Sequence, residues 1–566
     1  MSARNENHAT RVVASSASAT TLLIIIQIAS KLVTFAANQS TLRNLSPAIL
    51  GIATQLELYL VSVLYFSRES IRTAIQRKPL EPSSDSSSSE SPGKPTTFEK
   101  AQLQSTATQS VVNISYLSPS IGILFALAFA AFYIHFASEE ILQTPFYFSS
   151  VVVTGISSLL ELGVEPFFAV VQQHMLYKKR AVVEMSAAFV KGIILCGVFT
   201  WAVWTERNVG VLPFALGYLG HSLTLICGYS IALLRKPSER QFSFLISRIE
   251  SSDDAGFLAN RFSCQLLSLS VNVFFQSVVK HLLTQGDSMI LATVASLQDQ
   301  GIYSLASNYG GLVARIFLQP IEESSRALFS SLLSSSETRS KNSNAIGIAK
   351  DHLVDISRIY GILSILIFPL GPVLVPQILH ILGGRRWESP EVDGLISLYC
   401  YYIPFLAFNG ITEAFVSSTA SPSEVRAQTG WMGAFSACFA LAAYIFLRIG
   451  NLGAYGLVWA NIVNMAVRTI WSYCFIKLYF HRYSTDFALA DAGLHSQTYI
   501  TGAIATAIML AKQDYFNTGS QGTLKILLFS SIYALTVLFL EREYLMKQYT
   551  KVCQILSLKA ARQKTE

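Results

Sequence analysis

Long apolar runs separated by short polar loops recur along almost the whole chain. They fall near 21–42, 48–66, 112–136, 146–176, 181–204, 211–234, 266–295, 300–333, 353–382, 394–419, 428–447, 453–476, 499–512 and 524–541. Each approaches the ~20 residues a helix needs to cross a bilayer. Outer-membrane strands would alternate in pieces of ~10 residues instead, and in lipid such runs satisfy their backbone groups only as helices. The pattern predicts an all-α polytopic membrane protein with about 14 transmembrane helices, arranged as two pseudo-symmetric six-helix lobes plus two extra C-terminal helices. Two polar segments punctuate it. Residues 79–97, PLEPSSDSSSSESPGKPTT, are a Ser/Pro-rich linker of the kind that stays disordered. Residues 235–261 carry mixed charge and separate the halves. The expected organisation is a cytosolic tail over 1–20, an N-lobe of six spans over 21–234, an inter-lobe linker over 235–261, a C-lobe of six spans over 262–480, two additional spans over 499–541 and a cytosolic tail over 542–566.

The halves also share a short motif. Lys31 and Lys280 stand at nearly the same offset as Gly51 and Gly301, and in that register Asn38 matches Asp287. Repeats that each begin on the same side of the membrane are parallel, related by an axis along the membrane normal.

Composition agrees with the span pattern. Of 566 residues, 51% are hydrophobic and 14% charged, against about 25% charged in a soluble chain; the mean hydropathy is +0.42. The net charge of +7 comes from basic residues gathered between spans. That is the topogenic positive-inside pattern and not a nucleic-acid surface. The segment Tyr177–Arg180 (YKKR) falls on the cytosolic side, whereas the loop SEEILQT around Glu139 carries no basic residue and falls on the other. Both termini are therefore expected in the cytosol. The run after Arg11 continues past Lys31 without a small-residue cleavage site, which makes it a retained first span. The seven cysteines are scattered through apolar runs with no C-x-x-C pair, as packing residues are.

A charge at the bilayer centre costs at least ~2.5–3.5 kcal/mol on insertion scales, so each one asks for a reason. The spans contain Lys31, Lys191, Lys280, Arg315, Arg326, Arg358 and Arg468, with Glu57, Glu161, Glu165, Glu184, Asp287, Glu322, Glu323 and Glu413. Glu184 and Lys191 share a helix face, as do Glu161 and Glu165; Glu322, Glu323 and Arg326 are close enough to pair locally. Any one of these charges reads equally as a satisfied pair or a snorkelling side chain. Together the cations suit a water-filled cavity able to hold phosphate. Arg68 and Arg72, in SRESIRTAIQRK, project from one helix face at the end of the second span, where two guanidinium forks suit phosphate; the positive-inside rule also places basic residues there. Gly286 beside Asp287 in TQGD predicts an irregular, cavity-facing turn, and Pro320 predicts a kink in the over-long eighth span. The sequons at Asn38, Asn44 and Asn113 lie in or beside spans and are read as unused. No Walker loop, H-E-x-x-H or metal-spaced cluster occurs, and Gly383–Gly384 reads as a helix end.

The runs KLVTFAANQSTLRNLSPAILGIATQLEL and YFSRESIR, the block QGIYSLASNYGGLVARIFLQPIEESSR at 300–326, ILGGRRW at 381–387 and GAYGLVWANIVNMAVR at 453–468 resemble the eukaryotic oligosaccharide-translocation family of the endoplasmic reticulum. That family lies within the multidrug/oligosaccharidyl-lipid/polysaccharide exporter superfamily. The resemblance implies two six-helix lobes around a central cavity and delivery of a dolichol-diphosphate-linked oligosaccharide to the lumenal face for N-glycosylation. Its partners would be that lipid, the surrounding membrane lipids and other components of the N-glycosylation pathway. It implies no catalytic residue, metal or cofactor. The candidate substrate-binding set is then Lys31, Arg43, Arg68, Arg72, Lys280, Asp287, Arg315 and Arg468, with Glu57, Glu184, Lys191, Glu322 and Glu323 as supporting polar groups. An accessory protein that binds the same lipid without moving it stays open as the alternative. A cation-coupled drug exporter would want an acidic rather than a basic bias, and a membrane glycosyltransferase a sizeable acidic lumenal loop. The topology is directly testable: tags at both termini should be digested by protease added to sealed microsomes, and protection of either tag contradicts it.

Overall fold

Among the described residues, helices form where the apolar runs lie, because a chain in lipid has no other way to pair its backbone. The computed structural model describes residues 45–77, 97–174, 176–234, 242–249, 257–333, 343–383, 387–483, 485–511 and 519–550. The expected first span, with Lys31 and Arg43, lies outside the described residues, as do Asn38 and Asn44. The chain divides into two compact units, one whose described residues lie in 21–293 and one whose described residues lie in 294–566.

In the first unit the main helices are α1 (Pro47–Arg77), α2 (Thr97–Ser115), α3 (Leu117–His135), α4 (Tyr147–Leu162), α5 (Glu165–Gln173), α6 (Tyr177–Trp204), α7 (Leu212–Leu234) and α8 (Cys264–Val294, whose last residue belongs to the second unit). Burial sorts them. The apolar stretches of α1 and of α4–α5 are each 61% buried, against 39% for 212–233, 22% for 178–204 and 17% for 105–135, so α1 and α4–α5 are the most enclosed of these helices. The interior face of α4 is a stripe of Ser150, Thr154, Ser157 and Ser158, all fully buried. Small residues let membrane helices approach closely, and here Ser222 Oγ on α7 donates to the Ser157 carbonyl at 2.8 Å. On α8, the fully buried His281 lies 2.9 Å from Ser62 Oγ and against the rings of Tyr65 and Phe66. These contacts place α8, which the span pattern assigned to the second lobe, in the first compact unit. Its helix is unbroken through Thr284–Asp287. The irregular turn expected at TQGD is absent, because a single glycine is tolerated within a helix at modest cost.

The described parts of the expected linker are docked on α2. Asn113 donates to the carbonyls of Ser247 and Arg261 at 2.8 and 2.7 Å, Gln109 accepts from the Ser243 N–H at 2.8 Å, and Tyr116 donates to the Phe244 carbonyl. Asn113 is fully buried. The segment ends in a small antiparallel hairpin, β1 (Phe257–Leu258) and β2 (Phe262–Ser263).

The second unit contains α9 (Leu297–Val313), α10 (Gln319–Leu333), α11 (Ser343–Gly383), α12 (Pro390–Thr419), α13 (Pro422–Tyr444), α14 (Gly453–Arg482), α15 (Ser496–Ala511) and α16 (Gly519–Leu540). The expected kink near Pro320 takes the form of a π-helical turn, Ala314–Leu318, between α9 and α10. Proline has no N–H to return to the fourth carbonyl before it, and its ring crowds that carbonyl, so the helix widens just upstream. The core packs Phe415 against Phe329 and Phe480, with ring centroids 5.0 and 5.3 Å apart. The last two helices dock on α11 through Ile362, Leu494, Ala505, Tyr533 and Val537. Arg358 of α11 meets the fully buried Glu541 at 2.8 Å, and Thr498 Oγ1 and the His495 N–H donate to the same carboxylate.

Eight described helices are long and apolar enough to cross a membrane, or nine if the bent pair Leu524–Leu540 and Arg542–Thr550 is one span. Others of the expected 14 fall short for length, as do α10 with 15 residues and α15 with 16.

Candidate functional site

In the first unit Arg68 and Arg72 of α1 are met by carboxylates of α4–α5. Arg68 Nη1 donates to Glu161 Oε1 at 2.7 Å, and Arg72 grips Glu165 with two bonds of 2.9 and 2.6 Å. Both pairs span 93 residues, so one helical turn along α1 equals one turn along α4–α5, and the two helices run parallel. Arg68 also reaches Glu165 at 3.5 Å, and His221 Nδ1 of α7 lies 3.5 Å from Glu161 Oε2. The Arg72 guanidinium lies 3.7 Å from the Phe168 ring centroid, with Arg180 over the same ring at 4.7 Å. The two forks that the sequence offers to a phosphate are thus occupied by carboxylates.

The supporting residues on this unit are separate from that ladder. Glu184 bonds Arg180, one turn back, at 2.9 Å, and not Lys191, whose ammonium lies 4.5 Å from the Tyr218 ring centroid. The shared Glu184–Lys191 surface does not form because seven residues are two turns apart, whereas four residues are neighbours. Glu57 and Lys280 are exposed on α1 and α8. Asp287 lies on α8 and Arg315 on the π turn, and their side chains are outside the described residues.

The second unit holds a cavity of about 390 Å³. Its polar lining is Gln319, Glu322, Glu323 and Arg326 on α10 and Asn409 and Glu413 on α12, with Tyr360 of α11 beside them and Ala314 and Leu318 of the π turn as apolar wall. Arg326 donates to Glu322 at 2.6 Å, the local pair expected from the sequence. Arg468, on α14, donates to Glu413 Oε2 at 2.5 Å, and Asn409 Nδ2 donates to the same oxygen at 3.2 Å. Glu323 accepts from Gln319 at 2.7 Å. The Asn409 amide oxygen is buried with no hydrogen-bond partner. Gly410 makes the site compact: a Cβ there would sit 3.0 Å from Glu322 Oε2.

The cavity therefore brings Glu322, Glu323 and, through Glu413, Arg468 to one place. Asn409 and Glu413 were missed as site residues; their i,i+4 spacing in FNGITEAF was the only sign of a shared face. Among the described residues no group of three or more His, Cys, Asp or Glu is placed to hold a metal ion. The arrangement presents oriented hydrogen-bond acceptors and guanidinium donors.

The architecture defines a class, a polytopic helical membrane protein with the transporter fold shared by MurJ and MATE proteins. It superposes on the lipid II flippase MurJ in an inward closed conformation with a TM-score of 0.54 at 13% identity, over 92% of this chain and 100% of that one. On an inward-facing multidrug resistance MATE family transporter of the MOP superfamily the TM-score is 0.53 at 12% identity, over 79% of this chain and 94% of the other. Within that class the chain belongs to the Rft protein family, whose model, Rft-1, matches residues 15–551. A relative in Yarrowia lipolytica is 34% identical over 82% of this chain and 70% of its own. One in Saccharomyces cerevisiae is 32% identical over 82% and 83%, and one in Mus musculus 26% over 81% of each. Each of the three bears the name Man(5)GlcNAc(2)-PP-dolichol translocation protein RFT1.

The Arg72–Glu165 pair should be energetically coupled. Arg72→Ala and Glu165→Ala should each lower the unfolding midpoint in detergent, and the double variant should be less damaged than the sum by about 0.5–3 kcal/mol. Strict additivity contradicts the ladder.

Proposed function

We propose that this chain moves a dolichol-diphosphate-linked oligosaccharide, Man(5)GlcNAc(2)-PP-dolichol, from the cytosolic to the lumenal leaflet of the endoplasmic reticulum for protein N-glycosylation. The observation that carries the reading is the identity of 32–34% over 82% of the chain with relatives named for that translocation. The protein makes no covalent change in its substrate. Its task is to lower the barrier that keeps a charged, hydroxyl-rich head group out of hydrocarbon. The lipid tail would stay in the bilayer while protein groups replace the water around the head group.

The diphosphate is assigned to cations that the sequence places in or at the membrane: Lys31, Arg43, Lys280 and Arg315. Arg68 and Arg72 would join them only by exchanging carboxylate for phosphate, so they are better suited to holding α1 against α4–α5. Arg468 sits at the cavity of the second unit. The lobe organisation around a central cavity, the cytosolic termini and association with other N-glycosylation components belong to the same proposal.

Saccharomyces cerevisiae cells depleted of their own relative test the reading. This chain should restore full glycosylation of a secreted reporter. Alanine at Lys31, Arg43 and Arg315 together should abolish rescue at equal expression, and lysine at 43 and 315 should preserve part of it where charge alone matters. Underglycosylation that persists with the wild-type chain expressed in the endoplasmic reticulum contradicts the proposal.

A further inference from the structure

The cavity of the second unit is built for a ligand that is neither an anion nor a cation. Among its described groups and their partners, three carboxylates, Glu322, Glu323 and Glu413, face two guanidiniums, Arg326 and Arg468. That balance repels a diphosphate. Both guanidiniums also carry their own carboxylate, at 2.6 Å to Glu322 and 2.5 Å to Glu413, so a phosphate reaching their remaining N–H groups would sit beside a like charge. A metal ion or sodium fares no better. It would share Glu322 or Glu413 with a guanidinium in contact with the same group, and like charges a few ångströms apart in a low-dielectric setting repel strongly.

The lining offers hydrogen-bonding capacity instead. A carboxylate has acceptor positions for about four hydrogens, and each of these three has one oxygen held by Arg326, Gln319 or Arg468. The other oxygen of each is left oriented by its neighbour. The decisive atom is Asn409 Oδ1. Asn409 is 6% exposed, lines the cavity, and its amide oxygen has no partner. The amide cannot simply be turned over, because Nδ2 donates to Glu413 Oε2 at 3.2 Å and the reversed amide would set oxygen against oxygen. A buried acceptor without a partner is a cost the fold carries unless a ligand donates to it. Gly410 keeps Glu322 at hand, since a Cβ there would crowd Glu322 Oε2.

We propose that this cavity binds the hydroxyl and acetamido groups of the oligosaccharide. A sugar hydroxyl both donates and accepts. It can give its proton to Asn409 Oδ1 or a carboxylate oxygen and take one from a guanidinium, with no net charge to pay for. Glycan and diphosphate are then held by different residues, the glycan at 322–413 and the diphosphate at the membrane cations. Which glycan enters follows from the translocation reading above.

The test uses full-length protein in detergent micelles and two probes that separate the chemistries. Lipid-free N,N′-diacetylchitobiose and a lipid-free mannose pentasaccharide carry sugar alone, and farnesyl diphosphate carries lipid and diphosphate alone. Binding is followed by saturation-transfer NMR titration, with the melting temperature of each variant as a control on folding. At least one sugar probe should bind the wild type. Asn409→Ala should weaken it by roughly tenfold, the loss of one buried hydrogen bond, and leave farnesyl diphosphate unaffected. If Asn409→Ala does not fold, Glu323→Ala, at an exposed position on the mouth, is read instead: a roughly threefold weakening of the sugar supports the site, and an unchanged affinity overturns it. Sugar that does not bind, or binds both proteins alike, overturns it. So does an Asn409-dependent affinity for sodium or farnesyl diphosphate in place of sugar. A wrong translocation reading shows separately, as wild-type protein that fails to rescue depleted yeast.

Discussion

A charge in the membrane interior costs less when a partner meets it, and several of the described helices are tied together by such pairs. Arg68 and Arg72 tie α1 to α4–α5 through Glu161 and Glu165. Arg358 fastens the last helices to α11 through Glu541. Arg468 joins α14 to α12 through Glu413, and Arg326 turns back onto Glu322 within α10. Lipid offers no hydrophobic drive for helix association, so close packing and polar contacts decide which helices touch. Removing one member of a buried pair leaves an uncompensated charge, worth about 3–5 kcal/mol when fully buried. Such pairs enforce a register even where their net contribution to stability is small.

The helical elements were legible because the bilayer imposes a length and an apolar composition on every span. The interruption near Pro320 was legible because proline deprives a helix of one bond wherever it stands. Local pairs such as Glu322–Arg326 were legible because the helical period brings residues four apart together. The Arg68–Glu161 and Arg72–Glu165 pairs were not, since nothing in a single sequence says which of many spans will lie side by side. Glu161 and Glu165 were visible as a charged face without a known neighbour. Glu184 and Lys191 misled because a shared face is not contact when two turns intervene. TQGD misled because glycine permits irregularity without requiring it.

The cavity character was the hardest feature to foresee. Counting basic residues per span points to a uniformly cationic interior, yet Arg326 and Arg468 arrive with their own carboxylates, and the polar group left over is an amide oxygen, Asn409 Oδ1. The difference matters for mechanism. A transporter that grips a diphosphate too strongly would hold it, because binding a ground state tightly does not by itself lower a barrier. Many moderate hydrogen bonds to sugar hydroxyls replace water group by group. They fit passage better than a single deep electrostatic trap does.

The proposed function requires that the chain itself carry the glycolipid across the bilayer. The direct measurement is reconstitution of the pure protein into liposomes containing labelled Man(5)GlcNAc(2)-PP-dolichol, with the label in the outer leaflet followed by a membrane-impermeant lectin or glycosidase. Protein-dependent exchange between leaflets, reduced by the combined Lys31, Arg43 and Arg315 alanine variant, is the predicted result. Folded, glycolipid-binding protein that leaves the leaflets unmixed would contradict direct translocation and identify the chain as an accessory binder.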